Sequence, residues 1–167
     1  MIIGVDPGLD GAIVRIKPFP LAILTWVDFR PYTDAKALYE TLTAAGIFTG
    51  VSLIIIERPS ARPASQGQGV TSAFNFGHSC GLIFGLCTAA APQARIIRPQ
   101  PAIWKAALGV PADKQVCTAR AAELFPDSRE IFYSPRGGAK DGRAEAALLA
   151  YFGVRFLAPQ KKVSRLI

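Results

Sequence analysis

Four acidic residues stand where a folded chain can gather carboxylates. Asp6 and Glu57 each follow a short apolar run, MIIGV and VSLIII, which is typical of the end of a buried strand. Asp141 and Glu145 are four residues apart in DGRAEAALLA, so a helix there projects both from one face. Oxygen ligands of this kind hold Mg²⁺ or Mn²⁺, and two such ions about 4 Å apart can hydrolyse a phosphodiester bond. The pattern therefore predicts a two-ion metal site in which all four acids are ligands and catalytic residues.

The charge balance indicates an anionic partner. Lysine and arginine number 19 against 12 aspartate and glutamate residues, so the net charge is +7. Arginine is the more frequent of the two cations, and its guanidinium suits bidentate contacts with phosphate. Such a balance points to nucleic acid or another anionic surface. An acidic cluster within a basic chain is explained if the acids hold a metal beside a phosphate.

Other catalytic chemistries have less support in the sequence. Taken singly, each acid also fits a structural role, since Asp before Pro-Gly is common in turns and Asp141 fits a helix cap. Their joint placement favours the metal site. No convincing nucleophilic triad is present, because the single histidine, His78, lies in the predicted helical segment FNFGHSCG. For His78 we expect a partly buried or DNA-facing structural role rather than general-base catalysis.

Cysteine use and hydropathy indicate a cytoplasmic protein. The three cysteines lack CxxC spacing and are predicted to be core thiols in a reducing compartment, with two of them on one buried helix face (Cys80, Cys87, Cys117). No stretch approaches the roughly 18 apolar residues of a membrane helix. The N-terminus lacks the pattern of a signal peptide, so we expect no membrane association.

The apolar periodicity predicts one domain over residues 1–158, with a basic tail at 159–167. Strands are expected at 1–6, 12–16, 24–29, 51–56 and 94–98. Helices are expected at 34–45, 70–90, 99–108, 111–124 and 140–156, with loops at 58–69 and 125–139. This order of elements is typical of an α/β fold with a mixed five-stranded sheet and helices on both faces.

The long predicted helix carries three glycines at four-residue spacing: Gly77, Gly81 and Gly85. Glycine inside a helix costs on the order of 1 kcal/mol relative to alanine, so the face needs a reason. Close packing supplies one. The helix then packs either against its own sheet or against a partner helix, and the sequence favours neither.

Six segments in order resemble the motifs of RuvC-type Holliday junction resolvases of the RNase H-like superfamily. They are GVDPG (4–8), VSLIIIERP (51–59), SAFNFGHSCG (72–81), RPQPAIWKAALGV (98–110), ARAAELFP (119–126) and DGRAEAALLA (141–150). The likeness covers most of residues 1–153 and is particularly that of the phage and prophage branch. GVDPG alone is a weak motif, whereas the full ordered set is fairly specific.

The resemblance implies a homodimeric, RNase H-like crossover junction endodeoxyribonuclease. Such a protein binds four-way DNA junctions and nicks opposing strands through Mg²⁺ or Mn²⁺ held by the four acids. Two departures stand out. The last acid of the family is usually Asp, whereas this chain has Glu145. The aromatic residue that cellular members place after the strand-end Glu is missing, with Ser60 near that position, and Phe74 or Phe76 is a candidate for its stacking role or for core packing.

The expected DNA contacts come from segments that flank the acids. They are Arg62, Phe74, Phe76, His78, Lys105, Lys114, Arg136, Lys140 and Arg143. Two other functions fit the same fold: a junction-binding protein with little or no catalysis, which the Glu145 departure makes credible, and a flap or branched-DNA nuclease of looser selectivity. An ATPase related to actin and sugar kinases is disfavoured, because the sequence shows no second lobe and no second phosphate motif.

Overall fold

Five strands pair into one mixed sheet in a computed structural model that describes residues 1–30, 34–58 and 69–157. The strands are β1 (Ile2–Asp6), β2 (Ala12–Pro18), β3 (Leu21–Asp28), β4 (Leu53–Ile56) and β5 (Arg95–Ile97). Their order across the sheet is β3-β2-β1-β4-β5. β1 pairs antiparallel with β2 and parallel with β4, and β4 pairs parallel with β5. The predicted mixed five-stranded sheet is confirmed.

Five α-helices cover the sheet. They are α1 (Ala35–Ala44), α2 (Val70–Ala90), α3 (Pro101–Leu108), α4 (Lys114–Leu124) and α5 (Asp141–Phe152). Side-chain caps start two of them, since Asp34 accepts a hydrogen bond from the Ala37 amide at 2.8 Å and Asp113 accepts one from Val116 at 3.0 Å.

Several predicted boundaries differ from the structure by two or more residues, and three of the differences have a clear physical reason. The expected loop at 125–139 contains a 3₁₀ helix, Pro126–Phe132, because Ile131 and Phe132 bury their side chains in the core. The last helix was expected to run to residue 156, but α5 ends at Phe152 and continues as a π-helical turn, Gly153–Leu157. β3 begins before the predicted residue 24, because its ladder with β2 extends back to the Pro18–Leu21 pair.

The core lies on both faces of the sheet, as predicted. Alternate residues of β1 point to opposite sides, so Ile2 packs with Trp104 and Phe132 on the face covered by α3, α4 and α5. Ile3 and Val5 pack with α1 and α2 on the other face. By the same alternation Asp6 points to the α5 face, which places its carboxylate on the same side as the acids of α5.

Glycine allows α5 to lie directly against β1. A Cβ at Gly4 would overlap the carbonyl oxygen of Ala146 and the amide nitrogen of Ala150. One turn away, a Cβ at Gly142 would overlap the carbonyl oxygen of Asp10 in the β1–β2 turn. The two glycines therefore set the distance between the strand that ends in Asp6 and the helix that carries Asp141 and Glu145.

The glycine face of α2 has the opposite surroundings. Gly77, Gly81 and Gly85 are exposed, and a Cβ at any of them would meet no atom within 4 Å among the residues described. Packing of this face on the chain's own sheet, one of the two alternatives, is therefore wrong for the described part of the protein. On the buried side of the same helix lie Cys80 and Cys87, as predicted, and both are free thiols.

Hydrophobicity sets one further limit on the helices. Within residues 1–30, 34–58 and 69–157, none is both long and apolar enough to cross a lipid bilayer. The predicted tail at 159–167 and the end of the predicted domain at residue 158 lie outside these ranges.

The close approach of α5 to β1 predicts a large cost for Gly4→Ala. The new methyl group would meet backbone atoms, which cannot rotate away, so we expect a loss of about 3 kcal/mol or more in the free energy of unfolding. Urea denaturation measures the loss. Gly69→Ala is the control, because no described atom lies within 4 Å of its Cβ position, and it should stay within about 1 kcal/mol of wild type. An unchanged urea midpoint for Gly4→Ala would contradict the packing.

Candidate metal centre

Asp6 is held at the end of the central strand by its own turn. The Gly8 amide donates to Asp6 Oδ1 at 3.2 Å, and the turn closes with the Gly11 amide donating to the Gly8 carbonyl at 2.9 Å. The buried Ser79 hydroxyl of α2 donates to the Pro7 carbonyl oxygen at 3.0 Å. Helix α2 therefore fixes the residue that follows Asp6.

Glu57 follows β4, the parallel neighbour of β1. Its amide donates to the Val5 carbonyl at 3.0 Å, which extends the ladder and places Glu57 beside Asp6. The indole nitrogen Nε1 of Trp104, a fully buried residue of α3, donates to Glu57 Oε2 at 2.8 Å. The orientation of the Glu57 carboxylate is thus set from within the core.

Glu145 brings its carboxylate to the other two acids. Single carboxylate oxygens of Asp6, Glu57 and Glu145 all lie within 4.8 Å of one another. Glu145 Oε1 also accepts a hydrogen bond from Lys105 Nζ at 2.6 Å, in an ion pair that is largely buried on both sides. The Glu145 side chain is therefore long enough to reach the cluster.

Asp141 faces the same cleft but is not part of this three-carboxylate cluster. Its Oδ2 is paired with the ammonium group of Lys114, whose side chain is mostly exposed. The cleft has a volume of about 420 Å³, and its lining includes the three clustered acids, Asp141, Lys114 and Phe76. The structure thus brings all four predicted acids to one cleft, and carboxylate oxygens of three of them lie within 4.8 Å of one another.

Burial and mutual repulsion make the cluster costly without a cation. Burial, followed by the nearby charge of Glu145, raises the pKa of Asp6 from 3.8 to about 7. Burial also raises the pKa of Glu57, although the hydrogen bond from Trp104 opposes the shift. A divalent cation would offset the repulsion and stabilise the ionised carboxylates, since Mg²⁺ and related hard cations bind oxygen ligands that lie close together. The residues therefore fit a divalent metal.

Two lysines counter part of the negative charge. Burial lowers the pKa of Lys105, but its hydrogen bond and ion pair with Glu145 outweigh that effect and leave the pKa raised. The hydrogen bond to Asp141 likewise raises the pKa of Lys114. Both side chains are therefore held in the charged form beside the acids.

Seven of the nine predicted DNA-contact residues fall into three groups. Phe76 and Lys114 line the cleft, and Lys105 lies inside the site, paired with Glu145. Arg136 and Lys140 are exposed in the segment before α5. Phe74 is exposed, so the alternative of core packing is wrong for it, and its ring stacks on that of exposed His78 with centroids 6.5 Å apart. Arg62, like Ser60, lies outside the described residues.

Arg143 is engaged within the chain rather than presented to solvent. Its Nε and Nη2 donate to the two carboxylate oxygens of Asp28 at 2.7 and 2.6 Å, and its Nη1 donates to the Ile131 carbonyl at 2.8 Å. The guanidinium also lies 5.5 Å from the centre of the Trp26 ring. These contacts tie α5 to β3 and to the 3₁₀ helix, so Arg143 has a positioning role.

Trp104 is the site residue that the sequence reasoning missed. A tryptophan has one polar hydrogen, which needs an acceptor when the side chain is buried. The signal was present, because Trp104 directly precedes Lys105 in a short apolar helix. Only the fold shows that the acceptor is Glu57.

The raised pKa of Asp6 predicts a pH-dependent stability in the metal-free protein. The folded state favours the protonated carboxyl of Asp6. Its contribution to the free energy of unfolding is therefore complete below the pKa of Asp6 in the unfolded chain and is lost as the pH rises through about 7. Asp6→Asn cannot ionise. It should exceed wild type in the free energy of unfolding by roughly 1–3 kcal/mol at about pH 8 and by much less at about pH 5.

Chemical denaturation in EDTA at the two pH values measures this difference. Glu40→Gln is the control, because it removes a carboxylate from the exposed surface of α1, and it should not change the pH dependence. If Asp6→Asn and wild type share one pH profile, Asp6 does not carry a raised pKa.

Comparison with known proteins identifies the fold. The sequence matches no protein-family model and no curated protein. Among solved structures, it is similar to Thermus thermophilus RuvC in complex with a Holliday junction substrate, with a TM-score of 0.58 and 15% identity over 92% of this chain and 94% of that chain. A second Thermus thermophilus RuvC structure gives a TM-score of 0.54 and 17% identity over 92% and 95%. At this identity the similarity shows the fold: the chain is a single domain with the RNase H-like fold of RuvC.

Proposed function

We propose that this protein is a metal-dependent endonuclease that resolves four-way DNA junctions by paired nicking. The observation that carries the proposal is the meeting of three carboxylates, Asp6, Glu57 and Glu145, within 4.8 Å in an open cleft. The chain around them has a net charge of +7, which suits a polyanionic substrate. The RuvC structure with the same fold was solved with a Holliday junction, and this supports a branched DNA as the substrate class.

Each acid has a distinct part in the proposed site. Asp6 ends the middle strand of the sheet, so it is the proposed central ligand, with Glu57 and Glu145 close to it and Asp141 as the fourth. Mg²⁺ or Mn²⁺, as one ion or two, would supply Lewis-acid activation of water and of the scissile phosphate. Lys114 stands at the cleft with a mostly exposed side chain, where its ammonium group can pair with a DNA phosphate.

The DNA surface is proposed to extend from this cleft in two directions. Exposed Arg136 and Lys140 lie next to α5 and would contact phosphates on one side. On the other side, Phe76 within the cleft and the exposed Phe74–His78 stack would contact bases that are unpaired at a branch point. In this arrangement the basic side chains hold the DNA backbone, and the aromatic rings bind unstacked bases in preference to fully paired DNA.

A homodimer is proposed to form through the glycine face of α2. The three glycines are exposed at four-residue spacing, and a helix with such a face can approach a second helix closely. Paired nicking needs two active sites, which a single acidic cleft cannot supply. A second copy provides the other site.

One observation favours a second candidate, a junction-binding protein without turnover. Lys105 and Lys114 pair with Glu145 and Asp141, so two of the four acids are neutralised by the chain itself. A cleft balanced in this way can persist without a metal and still bind DNA. A flap or branched-DNA nuclease of looser selectivity is the alternative within the nuclease class.

A nicking assay with three labelled substrates tests the proposal. With Mg²⁺ or Mn²⁺, wild-type protein should nick a four-way junction symmetrically and should cut a flap and a linear duplex much less. In EDTA it should cut none of the three substrates. Asp6→Asn should lose about 100-fold or more in rate, because it removes the central ligand. Its affinity for the junction should be unchanged or higher, because one repelling charge is gone.

Glu40→Gln, which removes an exposed carboxylate of α1, is the matched control and should cut at the wild-type rate. If Asp6→Asn also cuts at that rate, the assignment of the site is wrong. If wild-type protein binds junctions but never cuts them with either metal, the junction-binding function replaces the nuclease. Equal cutting of flaps and junctions would favour the less selective nuclease.

The proposed dimer predicts that Gly81→Glu yields a monomer that still folds. The Glu side chain would enter open space in a single chain but would place a charge in the helix–helix contact. We expect the dimer dissociation constant to rise at least tenfold, or about 1.4 kcal/mol, by sedimentation at micromolar concentration. Thr43→Glu adds the same charge to exposed α1 and should remain dimeric. A wild-type monomer in the presence of junction DNA would contradict paired nicking.

A further inference from the structure

Trp104 combines complete burial with one polar contact. Its side chain is 0% exposed and belongs to the core beneath α5. Phenylalanine would supply similar apolar area there without any donor. Tryptophan adds a single N–H, which is directed to Glu57 Oε2 at 2.8 Å. The contact therefore serves the carboxylate as well as the core.

The Trp104 ring also lies beside the second cation–carboxylate pair of the site. Lys105 Nζ is 5.1 Å from the centre of the ring and 2.6 Å from Glu145 Oε1. Adjacent residues of α3 thus reach the two Glu side chains of the three-carboxylate cluster. Just before α3, the Pro99 carbonyl accepts a hydrogen bond from the Arg58 amide at 2.9 Å. This bond joins the chain that leads into α3 to the chain that follows β4.

We propose that Trp104 is a positioning residue of the metal centre. The indole N–H holds one oxygen of the Glu57 carboxylate and so limits its rotation, which would orient the carboxylate for a bound cation. The inference rests on the proposed function, because it assumes that Glu57 binds a metal. Groups that orient a metal ligand in this way typically contribute about 10–100-fold to metal affinity. Mg²⁺ demands near-ideal octahedral geometry, so its binding is expected to depend strongly on this hydrogen bond.

The indole proton is itself a probe of the contact. The chain has two tryptophans, Trp26 and Trp104, so a ¹H–¹⁵N spectrum of labelled wild-type protein contains two indole signals. Trp104→Phe assigns them by removing one. On titration with Mg²⁺, the Trp104 signal should move with the same midpoint as the metal-dependent increase in thermal stability. The Trp26 signal should move much less, because Trp26 lies on β3 beside Arg143.

Trp104→Phe then tests the hydrogen bond itself. The variant keeps an aromatic ring in the core and removes the donor, so its Mg²⁺ dissociation constant, measured by calorimetry, should rise at least tenfold. Phe125→Leu is the control for core damage, because Phe125 is buried in the same core without any polar contact to the acids. It should lose stability but bind Mg²⁺ as tightly as wild type.

The outcomes separate this inference from the proposed function. If wild-type protein binds no Mg²⁺ or Mn²⁺, the metal centre fails, and the inference fails with it. If wild-type protein binds Mg²⁺ but neither indole signal responds, Trp104 has no positioning role, and this result needs neither an assignment nor a folded variant. Wild-type Mg²⁺ affinity in folded Trp104→Phe would equally overturn the inference while leaving the metal centre intact.

Discussion

The close contact between α5 and β1 is the constraint on which the acidic cleft depends. Two glycines make it possible, because Gly4 and Gly142 leave no side chain between the strand and the backbone facing it. Asp6 ends the strand, and Glu145 lies one helical turn from the first acid of α5. A side chain at either glycine would push α5 away from β1 and would increase the distance between these carboxylates by about the width of a methyl group or more. The spacing of the acids is therefore a property of backbone packing before it is a property of side-chain rotamers.

Around that contact, the negative charges of the partly buried acids are balanced by hydrogen-bond donors and lysines of the protein. Burial makes ionised Asp6 and Glu57 costly, and each has a different source of relief: Asp6 accepts a backbone amide, whereas Glu57 accepts an indole N–H. Lysine ammonium groups serve Glu145 and Asp141. The acids are thus held in place by the protein before any cation or substrate arrives, which reduces the reorganisation that binding requires.

The sequence predicted the sheet, the helices on both faces and the acids that reach one cleft, because each depends on local patterns. Apolar runs mark β1 and β4, and the four-residue spacing of Asp141 and Glu145 is a property of any helix. Contacts between distant segments were not predictable in this way. The bonds from Trp104 to Glu57 and from Arg143 to Asp28 join residues far apart in the chain, and no periodicity indicates them. The 3₁₀ helix was not predicted, because residues 125–139 have the composition of a loop and their sequence does not indicate that Ile131 and Phe132 are buried.

The central position of β1 also has a consequence for the order of events during synthesis. Its sheet partner β4 and its helical partner α5 are translated much later than β1 itself, so the site depends on long-range contacts. A nascent chain that has been released only as far as Glu57 contains Asp6 and Glu57 but lacks Glu145 and the Trp104–Lys105 pair. The carboxylate cluster can therefore assemble only when nearly all of the described chain has left the ribosome, and incomplete translation products carry no complete site.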